Sequence, residues 1–210
     1  MDVDAAAMAI ELADLGSATL GESGGRPMRA RIRAAWPGAA LAAPAYPVGC
    51  SAGDNLAVHV AVTRAPAGSA LVVDVGATPE RGYWGEVLTT AAEARFLSGL
   101  VIDGGVRDTA ALAAHEFPVF CSMVALPGAT KVLPGTVGQP VKVGGVEVTA
   151  GDWVVADRDG VVVIGAGEVD AVLAAGRARA EKEAGRFAAL QAGRTTVELL
   201  GLDASAVRDR

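Results

Sequence analysis

The stretch that decides the fold is residues 85–108, GEVLTTAAEARFLSGLVIDGGVRD. Its first half repeats apolar residues at helical spacing, which predicts a helix beginning at the leading glycine, and the apolar run at 100–102 predicts a buried strand. The Asp-Gly-Gly segment at 103–105 is expected to turn the chain, so that Arg107 and Asp108 emerge at the carboxyl end of that strand. Open α/β sheets commonly bind ligands at this edge.

These residues bring three features that suit a small anion. The first N–H groups of the helix after Gly85 have no intrahelical acceptor, and the helix dipole adds partial positive charge there, close to Glu86. Arg107 can hold a carboxylate in bidentate fashion, and Asp108 can give Mg²⁺ one oxygen ligand. Alternatively, the Arg-Asp pair only caps the next helix, at 109–115, because aspartate is common at helix starts.

Five blocks of the chain, in their order and spacing, carry a family resemblance. The blocks are GDNLAVHVAVTRAPAGSALVVDVG at 53–76, WGEVLTTAAEAR at 84–95, GLVIDGGVRD at 99–108, FPVF at 117–120 and GDWVVADRDGVVVI at 151–164. They resemble the 4-hydroxy-4-methyl-2-oxoglutarate aldolases, also called 4-carboxy-4-hydroxy-2-oxoadipate aldolases, a family that includes the regulators of ribonuclease E activity. The resemblance runs from about residue 39 to the C-terminus. It implies an α/β fold, an αββα sandwich similar to the swivelling β/β/α domain.

The resemblance also implies roles for particular residues. The segment whose backbone amides would hold pyruvate consists of Gly85, Glu86, Val87 and Leu88. Arg107 would contact the same pyruvate, and Asp108 would bind a divalent metal, Mg²⁺ or Mn²⁺. A glutamate from the C-terminal helix of a neighbouring subunit is implicated as well, and Glu183 matches it best, with Glu181 as the weaker candidate. For both glutamates the plainer interpretation is a solvated helix face.

The reaction implied by the resemblance is a metal-dependent retro-aldol cleavage. A 4-hydroxy-2-oxo acid, such as 4-hydroxy-4-methyl-2-oxoglutarate or 4-carboxy-4-hydroxy-2-oxoadipate, would yield pyruvate and a second keto acid, with Asp108 holding the metal and Arg107 offsetting the enolate charge. Glu86 and the neighbour's Glu183 would orient a metal-bound water that accepts the hydroxyl proton. Oxaloacetate decarboxylation passes through the same enolate and is expected as a second activity. The competing function is a non-catalytic regulator that binds and inhibits a ribonuclease E-type enzyme or a helicase.

The three lysines argue against a Schiff-base aldolase, which needs a buried lysine of lowered pKa. Lys142 is predicted on the polar face of a hairpin that turns at 144–145, and Lys182 lies among the charges of the last helix. Lys131 lies in a loop rich in glycine and proline, where a solvated lysine is the default and contact with substrate or partner is the alternative. The apolar loop residues at 123–126 fit simple packing or a substrate with a less charged end.

The remaining candidate ligands give weaker signals. His59 and His115 are far apart in apolar contexts and are interpreted as packing residues. Cys50 and Cys121 form neither a CxxC pair nor a disulfide framework, which favours a reduced cytoplasmic protein. Neither a secretory leader nor an apolar run of about 20 residues is evident, so a soluble protein without membrane contact is expected.

Length, composition and charge favour one domain over residues 1–210. About half of the residues are hydrophobic, enough for one sizeable core. A helical segment is expected within 1–38, and a long helix at about 168–191 would pack on a neighbouring subunit, so the resemblance implies a homotrimer or homohexamer. The net charge is −6, and the arginines between 26 and 33 are interpreted as a polar face or subunit contact, which argues against direct nucleic-acid binding.

Overall fold

Valine-rich and alanine-rich segments form a ten-stranded sheet that curls around an apolar interior. The computed structural model describes residues 3–208. The strands are β1 (Arg26–Pro27), β2 (Arg33–Ala34), β3 (Leu41–Gly49), β4 (Ala70–Asp74), β5 (Gly82–Trp84), β6 (Gly99–Val106), β7 (Val119–Val124), β8 (Thr136–Val137), β9 (Val141–Val143), β10 (Val146–Val148), β11 (Trp153–Ala156) and β12 (Val161–Ile164). The helices are α1 (Val3–Gly21), α2 (Leu56–Arg64), α3 (Glu86–Glu93), α4 (Thr109–Ala114), α5 (Val169–Gln191) and α6 (Thr196–Leu200).

The order of strands divides the sheet into an antiparallel and a parallel part. Along the sheet the order is β1-β12-β11-β3-β4-β6-β7-β2, while β5 pairs with β6 and β8 pairs with β3. Strands β12, β11 and β3 are antiparallel neighbours, whereas β3, β4, β6 and β7 run parallel. The carboxyl ends of the parallel strands therefore meet at one edge. Strands β9 and β10 form a separate hairpin that packs over the interior of the curl.

Successive side chains of each strand point to opposite faces of the sheet, and the buried ones form three apolar layers. On β4, Val72 points into the curl, while Leu71 and Val73 pack under α2, α3 and α4. On β12, Val163 points into the same interior, while Val162 packs under α1 and α5. The αββα sandwich predicted from the resemblance is thus confirmed, with the two halves of one curled sheet as its central layers.

The glycines of β6 correct one sequence prediction. The Gly104-Gly105 pair was expected to turn the chain, but β6 continues through both to Val106. A Cβ on Gly104 would lie 2.7 Å from the Val75 side chain, and one on Gly105 would lie 2.5 Å from the backbone oxygen of Arg81. Because glycine has no side chain, these two positions allow neighbouring chain segments to approach β6 closely. Glycine has this effect within a continuous strand and does not require a turn.

The other predicted elements agree with the structure at the level of type and order. The hairpin turns at 144–145 and pairs Lys142 with Glu147 on its polar side, as predicted. Helix α5 matches the predicted span, while α6 has no counterpart in the prediction. Within the expected N-terminal helical segment, helix occupies only Val3–Gly21, with a kink at Gly16 (φ 76°); Gly24 and Gly25 follow, and the chain continues into β1, which contains Pro27, and β2.

Candidate active site

The predicted site residues follow two parallel strands and lie at one edge of the sheet. Arg107 follows β6 directly, and its N–H donates to the carbonyl of Trp84 at the end of β5, at 2.9 Å. Asp108 is the N-cap of α4 in a left-handed conformation, φ 58°. Gly85 is the N-cap of α3, so the helix begins where the sequence predicted.

A cavity of about 180 Å³ opens at this edge. We call one part of its lining the arginine wall, which consists of Gly85, Val87, Leu88, Arg107 and Asp108. We call a second part the histidine wall, which consists of Asn55, His59 and Lys131. The remaining lining residues are Gly82, Tyr83, Trp84, Gly128 and Ala129.

The polar groups of the arginine wall contact one another. The carboxylate of Asp108 accepts a hydrogen bond from the Glu86 N–H at 3.2 Å, so it lies at the N-terminus of α3. The same carboxylate oxygen lies 3.8 Å from Nε of Arg107. Both side chains are roughly half exposed, at 45% for Arg107 and 43% for Asp108. A guanidinium, a carboxylate and a helix N-terminus are thus within reach of one small ligand.

Close packing explains the glycine at the start of α3. A Cβ on Gly85 would lie 2.4 Å from Oδ2 of Asp108 and 3.1 Å from Cγ of Arg107. At Gly82 a Cβ would lie 2.9 Å from Cδ of Arg107. At Gly85 the side chains of Arg107 and Asp108 occupy the space that a Cβ would need, and at Gly82 Arg107 occupies it together with the Ala125 carbonyl oxygen, 2.8 Å away.

Glu86 participates in this site through its backbone in the described structure. Its side chain is 58% exposed and lies 3.8 Å from Nε2 of His115, outside the cavity lining. Nδ1 of His115 is 2.9 Å from Glu93, so the histidine links α3 to α4. His115 therefore has a packing and linking role, as the sequence predicted, whereas a catalytic role for the Glu86 side chain stays a prediction.

The histidine wall contains polar atoms that the sequence interpretation missed. Asn55 is 4% exposed, and its Nδ2 donates to the carbonyl of Tyr83 at 2.8 Å, which turns Oδ1 away from that bond. Among the described residues, Oδ1 of Asn55 and Nε2 of His59 are buried with no hydrogen-bond partner. Burial and the nearby charge of Lys131 lower the pKa of His59, outweighing the opposite effect of Asp54. His59 was interpreted as a satisfied packing residue, and the structure corrects this: it lines the cavity with a free ring nitrogen.

Asp54 holds the loop that carries Lys131 against α2. Its carboxylate accepts hydrogen bonds from the Thr130 hydroxyl at 2.7 Å and from the N–H groups of Val132 at 2.7 Å and Leu133 at 3.1 Å. Burial by itself raises the pKa of Asp54, but these bonds and one from the Leu56 N–H outweigh burial and leave the pKa well below its usual value. Asp54 is therefore a charged anchor for the loop at 128–133.

Glu183 lies away from this cavity within the chain. It is on α5, 2.9 Å from Arg179, and lines an apolar groove with Phe187 and residues of α6. In the described part of α5, the residues beyond Gly176 are all partly or fully exposed. Glu181 is exposed as well. A contribution of either glutamate to a neighbouring subunit's site stays a prediction.

The donor set can be compared with the needs of a divalent cation. Among residues 3–208, no group of three or more His, Cys, Asp or Glu side chains is arranged to hold a metal. Mg²⁺, however, usually keeps several waters and takes only one or two protein carboxylates. Asp108 offers an accessible carboxylate in a space kept open by the missing Cβ of Gly85. The residues present therefore fit a hydrated Mg²⁺ or Mn²⁺ completed by substrate, and not a fully protein-ligated metal.

Three of the four N-terminal arginines contact their own chain. Arg26 lies 3.3 Å from Asp152, Arg31 pairs with Asp103, and Arg33 donates to the carbonyl of Asp159.

Of the described helices, none combines the length and the apolar composition that a bilayer crossing requires.

Fold and site together define an α/β protein with a cavity at the carboxyl ends of parallel strands, lined by Arg107, Asp108 and the N-terminus of α3. The family model for RraA-like proteins, described as Aldolase/RraA, matches residues 6–163, and the chain belongs to this family. This confirms the family resemblance seen in the sequence.

Individual relatives agree with that assignment. The chain is 36% identical over 130 residues to a protein from Halalkalibacterium halodurans provisionally named 4-hydroxy-4-methyl-2-oxoglutarate aldolase, an alignment covering 62% of each chain. An uncharacterized protein from Pseudomonas syringae has a similar fold, with a TM-score of 0.80 at 24% identity, covering 91% of this chain and 95% of that one. The RNA-processing inhibitor RraA from Thermus thermophilus has a TM-score of 0.63 at 26% identity, covering 74% and 91%.

Proposed function

We propose that this protein is a divalent-metal-dependent aldolase that cleaves a 4-hydroxy-2-oxo acid to pyruvate and a second keto acid. The observation that carries the proposal is the arginine wall, where Arg107, Asp108 and the N-terminus of α3 border one cavity. Each of these groups suits a different part of a 2-keto acid. The similarity to proteins provisionally named as aldolases supports the same reaction.

The residues of the arginine wall bind and orient the pyruvyl half of the substrate. The N–H groups of Val87 and Leu88 in the first turn of α3 attract its carboxylate, beside the Glu86 N–H that donates to Asp108. Arg107 donates to the same group and offsets the negative charge that develops as the C3–C4 bond breaks and the enolate of pyruvate forms. Such stabilisation is worth about 100-fold to 1,000-fold in rate for one donor.

Asp108 is the residue that would hold the Mg²⁺ or Mn²⁺ ion. When bound, the ion supplies Lewis-acid stabilisation of negative charge on the keto-acid oxygens. The carboxylate of Asp108 accepts a hydrogen bond from the Glu86 N–H at 3.2 Å, so the group that would hold the ion lies beside the N-terminus of α3.

Oxaloacetate decarboxylation follows from the same arrangement. Loss of CO₂ from oxaloacetate leaves the enolate of pyruvate, so Arg107 stabilises the same charge in both reactions. The two reactions differ in one respect, because only the aldol cleavage removes a proton from a hydroxyl group.

Assembly into a homotrimer or homohexamer is part of the proposal. The outer half of α5 exposes Phe187 at 58%, beside an apolar groove that contains Glu183. Packing of this half on a neighbour would bury the apolar surface and bring Glu183 to a second chain. Measurement of the mass in solution, with Phe187→Asp as the disrupting variant, tests this part separately.

The experiment for the reaction is pyruvate release from 4-hydroxy-4-methyl-2-oxoglutarate and from oxaloacetate. We expect release from both with Mg²⁺, loss in EDTA, and a decrease of at least about 100-fold in Asp108→Ala. Asp159→Ala is a matched control, because Asp159 lies in the turn between β11 and β12, outside the cavity lining. Equal rates in Asp108→Ala and the wild type would refute the assigned role of Asp108.

A second candidate function is a non-catalytic regulator of an RNA-processing enzyme. It is favoured by the similarity to the Thermus thermophilus RNA-processing inhibitor. Absence of pyruvate release from both substrates, together with inhibition of a ribonuclease E-type enzyme by the purified protein, would favour this candidate over the aldolase.

A further inference from the structure

A second cavity, of about 350 Å³, lies away from the candidate active site. Its lining consists of residues 33–39 and Arg158, and we call it the tryptophan cavity after Trp36. Nε1 of Trp36 donates to the carbonyl of Phe117, just before β7 begins. The tryptophan cavity therefore lies near the amino end of β7, whereas the candidate active site lies at the carboxyl ends of β5 and β6. The two cavities are at opposite edges of the parallel strands.

Two arginines of the tryptophan cavity meet at the turn between β11 and β12. Nη1 of Arg33 donates to the carbonyl of Asp159 and would lie 4.0 Å from a Cβ on Gly160, so its guanidinium lies over this turn. Arg158 belongs to the turn itself, and within residues 3–208 its side chain has neither a hydrogen bond nor an ion pair. Most N–H donors of the two guanidinium groups are therefore free to bind an anion.

The indole of Trp36 gives the same cavity a flat apolar side. Its single N–H already donates to the carbonyl of Phe117 at 2.9 Å, so the ring offers its carbon surface to the cavity. The ring is partly buried and packs against the core, which holds it in place. Gly38, with φ 94°, lies against the ring, and a Cβ there would be 3.3 Å from Cζ3. A fixed indole beside glycine is a surface on which a planar ring can stack.

These groups select the chemical class of the ligand. One guanidinium is enough to pair with a carboxylate, whereas a phosphate monoester carries about two negative charges and three acceptor oxygens, which suit two guanidinium groups. The net charge of −6 disfavours a polyanion such as RNA, because the charge outside the cavity repels it. A small molecule with one phosphate and one planar ring matches all of these features.

We infer that the tryptophan cavity binds a nucleoside monophosphate, with the base on Trp36 and the phosphate on Arg33 and Arg158. The volume of the cavity, about 350 Å³, lies within the range of small-molecule sites. The inference does not depend on the proposed aldolase reaction, because no residue of the tryptophan cavity lines the candidate active site.

Fluorescence titration with AMP tests the contact with the base. The chain has three tryptophans, of which Trp84 and Trp153 are only 1% and 8% exposed. Stacking of adenine on Trp36 should quench the emission until the site is saturated, and Trp36→Phe should remove this response. Because Trp84 lines the candidate active site, a response of unchanged size in Trp36→Phe would place AMP elsewhere and overturn the inference.

Calorimetry with AMP tests the contact with the phosphate. Arg158→Met should raise Kd by at least about tenfold, the usual loss for a hydrogen bond to a charged group. The variant should fold normally, because the Arg158 side chain has no partner among the described residues. Arg64→Met, at the exposed end of α2, is the matched control, and Arg107→Met tests the other cavity. An unchanged Kd in Arg158→Met, or a rise of about tenfold in Arg107→Met, would overturn the inference.

Adenosine and inorganic phosphate separate the two contacts. Each should bind at least about tenfold more weakly than AMP, because adenosine lacks the phosphate and inorganic phosphate lacks the base. Inorganic phosphate that binds as tightly as AMP would show a simple anion site, and adenosine that binds as tightly would contradict the role of the arginines. Absence of saturable AMP binding up to about 1 mM would overturn the site, while the tests of pyruvate release would be unaffected.

Discussion

The two walls of the cavity differ in whether their polar groups have hydrogen-bond partners within the chain. On the arginine wall, Asp108 accepts from the Glu86 amide and lies near Arg107, so its charged groups are partnered within the chain. On the histidine wall, Asn55 and His59 each keep a buried polar atom, Oδ1 and Nε2, without a partner among residues 3–208. The arginine wall is thus stable by itself, whereas the histidine wall gains its missing hydrogen bonds from whatever enters the cavity. The next four predictions test this contrast, in order of expected effect.

Replacement of Gly85 should disrupt the arginine wall most strongly. In Gly85→Ala, the new Cβ would overlap Oδ2 of Asp108 at 2.4 Å and force that carboxylate to move. A displacement of about 1 Å at reacting groups lowers rates by about 100-fold, and we expect this for both cleavage and decarboxylation. Gly167→Ala is the control, because no atom lies within 4 Å of its added Cβ. Unchanged rates for both reactions in Gly85→Ala would show that the position of Asp108 is unimportant.

Replacement of Asp54 should weaken the histidine wall and spare the arginine wall. In Asp54→Asn, one of the two accepting oxygens becomes an NH₂ group, which opposes either the loop N–H groups of Val132 and Leu133 or the N–H of Leu56. We expect KM for 4-hydroxy-4-methyl-2-oxoglutarate to rise about tenfold, and the free energy of unfolding to fall by about 1–3 kcal/mol. The kcat and KM of oxaloacetate decarboxylation should change by less than about twofold, which is a smaller effect than the loss of one hydrogen bond. A decrease confined to decarboxylation would contradict the contrast between the walls.

Comparison of the wild type with Asp54→Asn also tests a predicted pH dependence of stability. Because the folded-state pKa of Asp54 is lowered, its stabilisation is complete above the unfolded-state pKa of about 3.9 and is lost as the pH falls towards the folded-state pKa. The difference in unfolding free energy between wild type and Asp54→Asn should therefore be constant above about pH 5 and shrink below about pH 4. Denaturant titrations from pH 7 to pH 3 measure this difference; a gap that widens on acidification would contradict it.

The Glu86 side chain should have the smallest effect. It lies beside His115 and outside the cavity lining, while the Glu86 N–H is the group that contacts Asp108. Glu86→Gln keeps that N–H, so we expect kcat for both reactions to change by less than about threefold, well below the contribution of a general base. A decrease of about 100-fold would instead establish a catalytic role for the side chain.

The arginine wall could be predicted because its residues lie in two short segments that carry local signals. A glycine before an amphipathic helix predicts the start of α3, and a polar pair after an apolar run predicts the strand end. The histidine wall joins residues more than 70 positions apart, held by the hydrogen bonds of Asp54 and Asn55 to distant backbone groups. One sequence carries no signal for such pairing.

Most helices and strands of the fold could be predicted from the sequence, whereas the role of one glycine pair could not. Alternating and continuous apolar runs indicated most of the strands, and helix α5 was found at its observed span. The Gly104-Gly105 pair was misjudged because a turn and a close approach of backbone both favour glycine, and only the contacts with Val75 and Arg81 distinguish them. Helix α6, with five residues, is too short to give a clear periodic pattern.

The hydrogen bond between Asp108 and the Glu86 amide makes the two proposed ligands thermodynamically linked. In the free chain, this carboxylate and this amide satisfy each other at 3.2 Å. If Asp108 turned to a metal, the Glu86 amide would become available to an anion, and an anion on the amide would in turn release the carboxylate. Each ligand therefore removes an internal competitor of the other, so keto acid and metal should bind with positive cooperativity, equal in size in either order of addition.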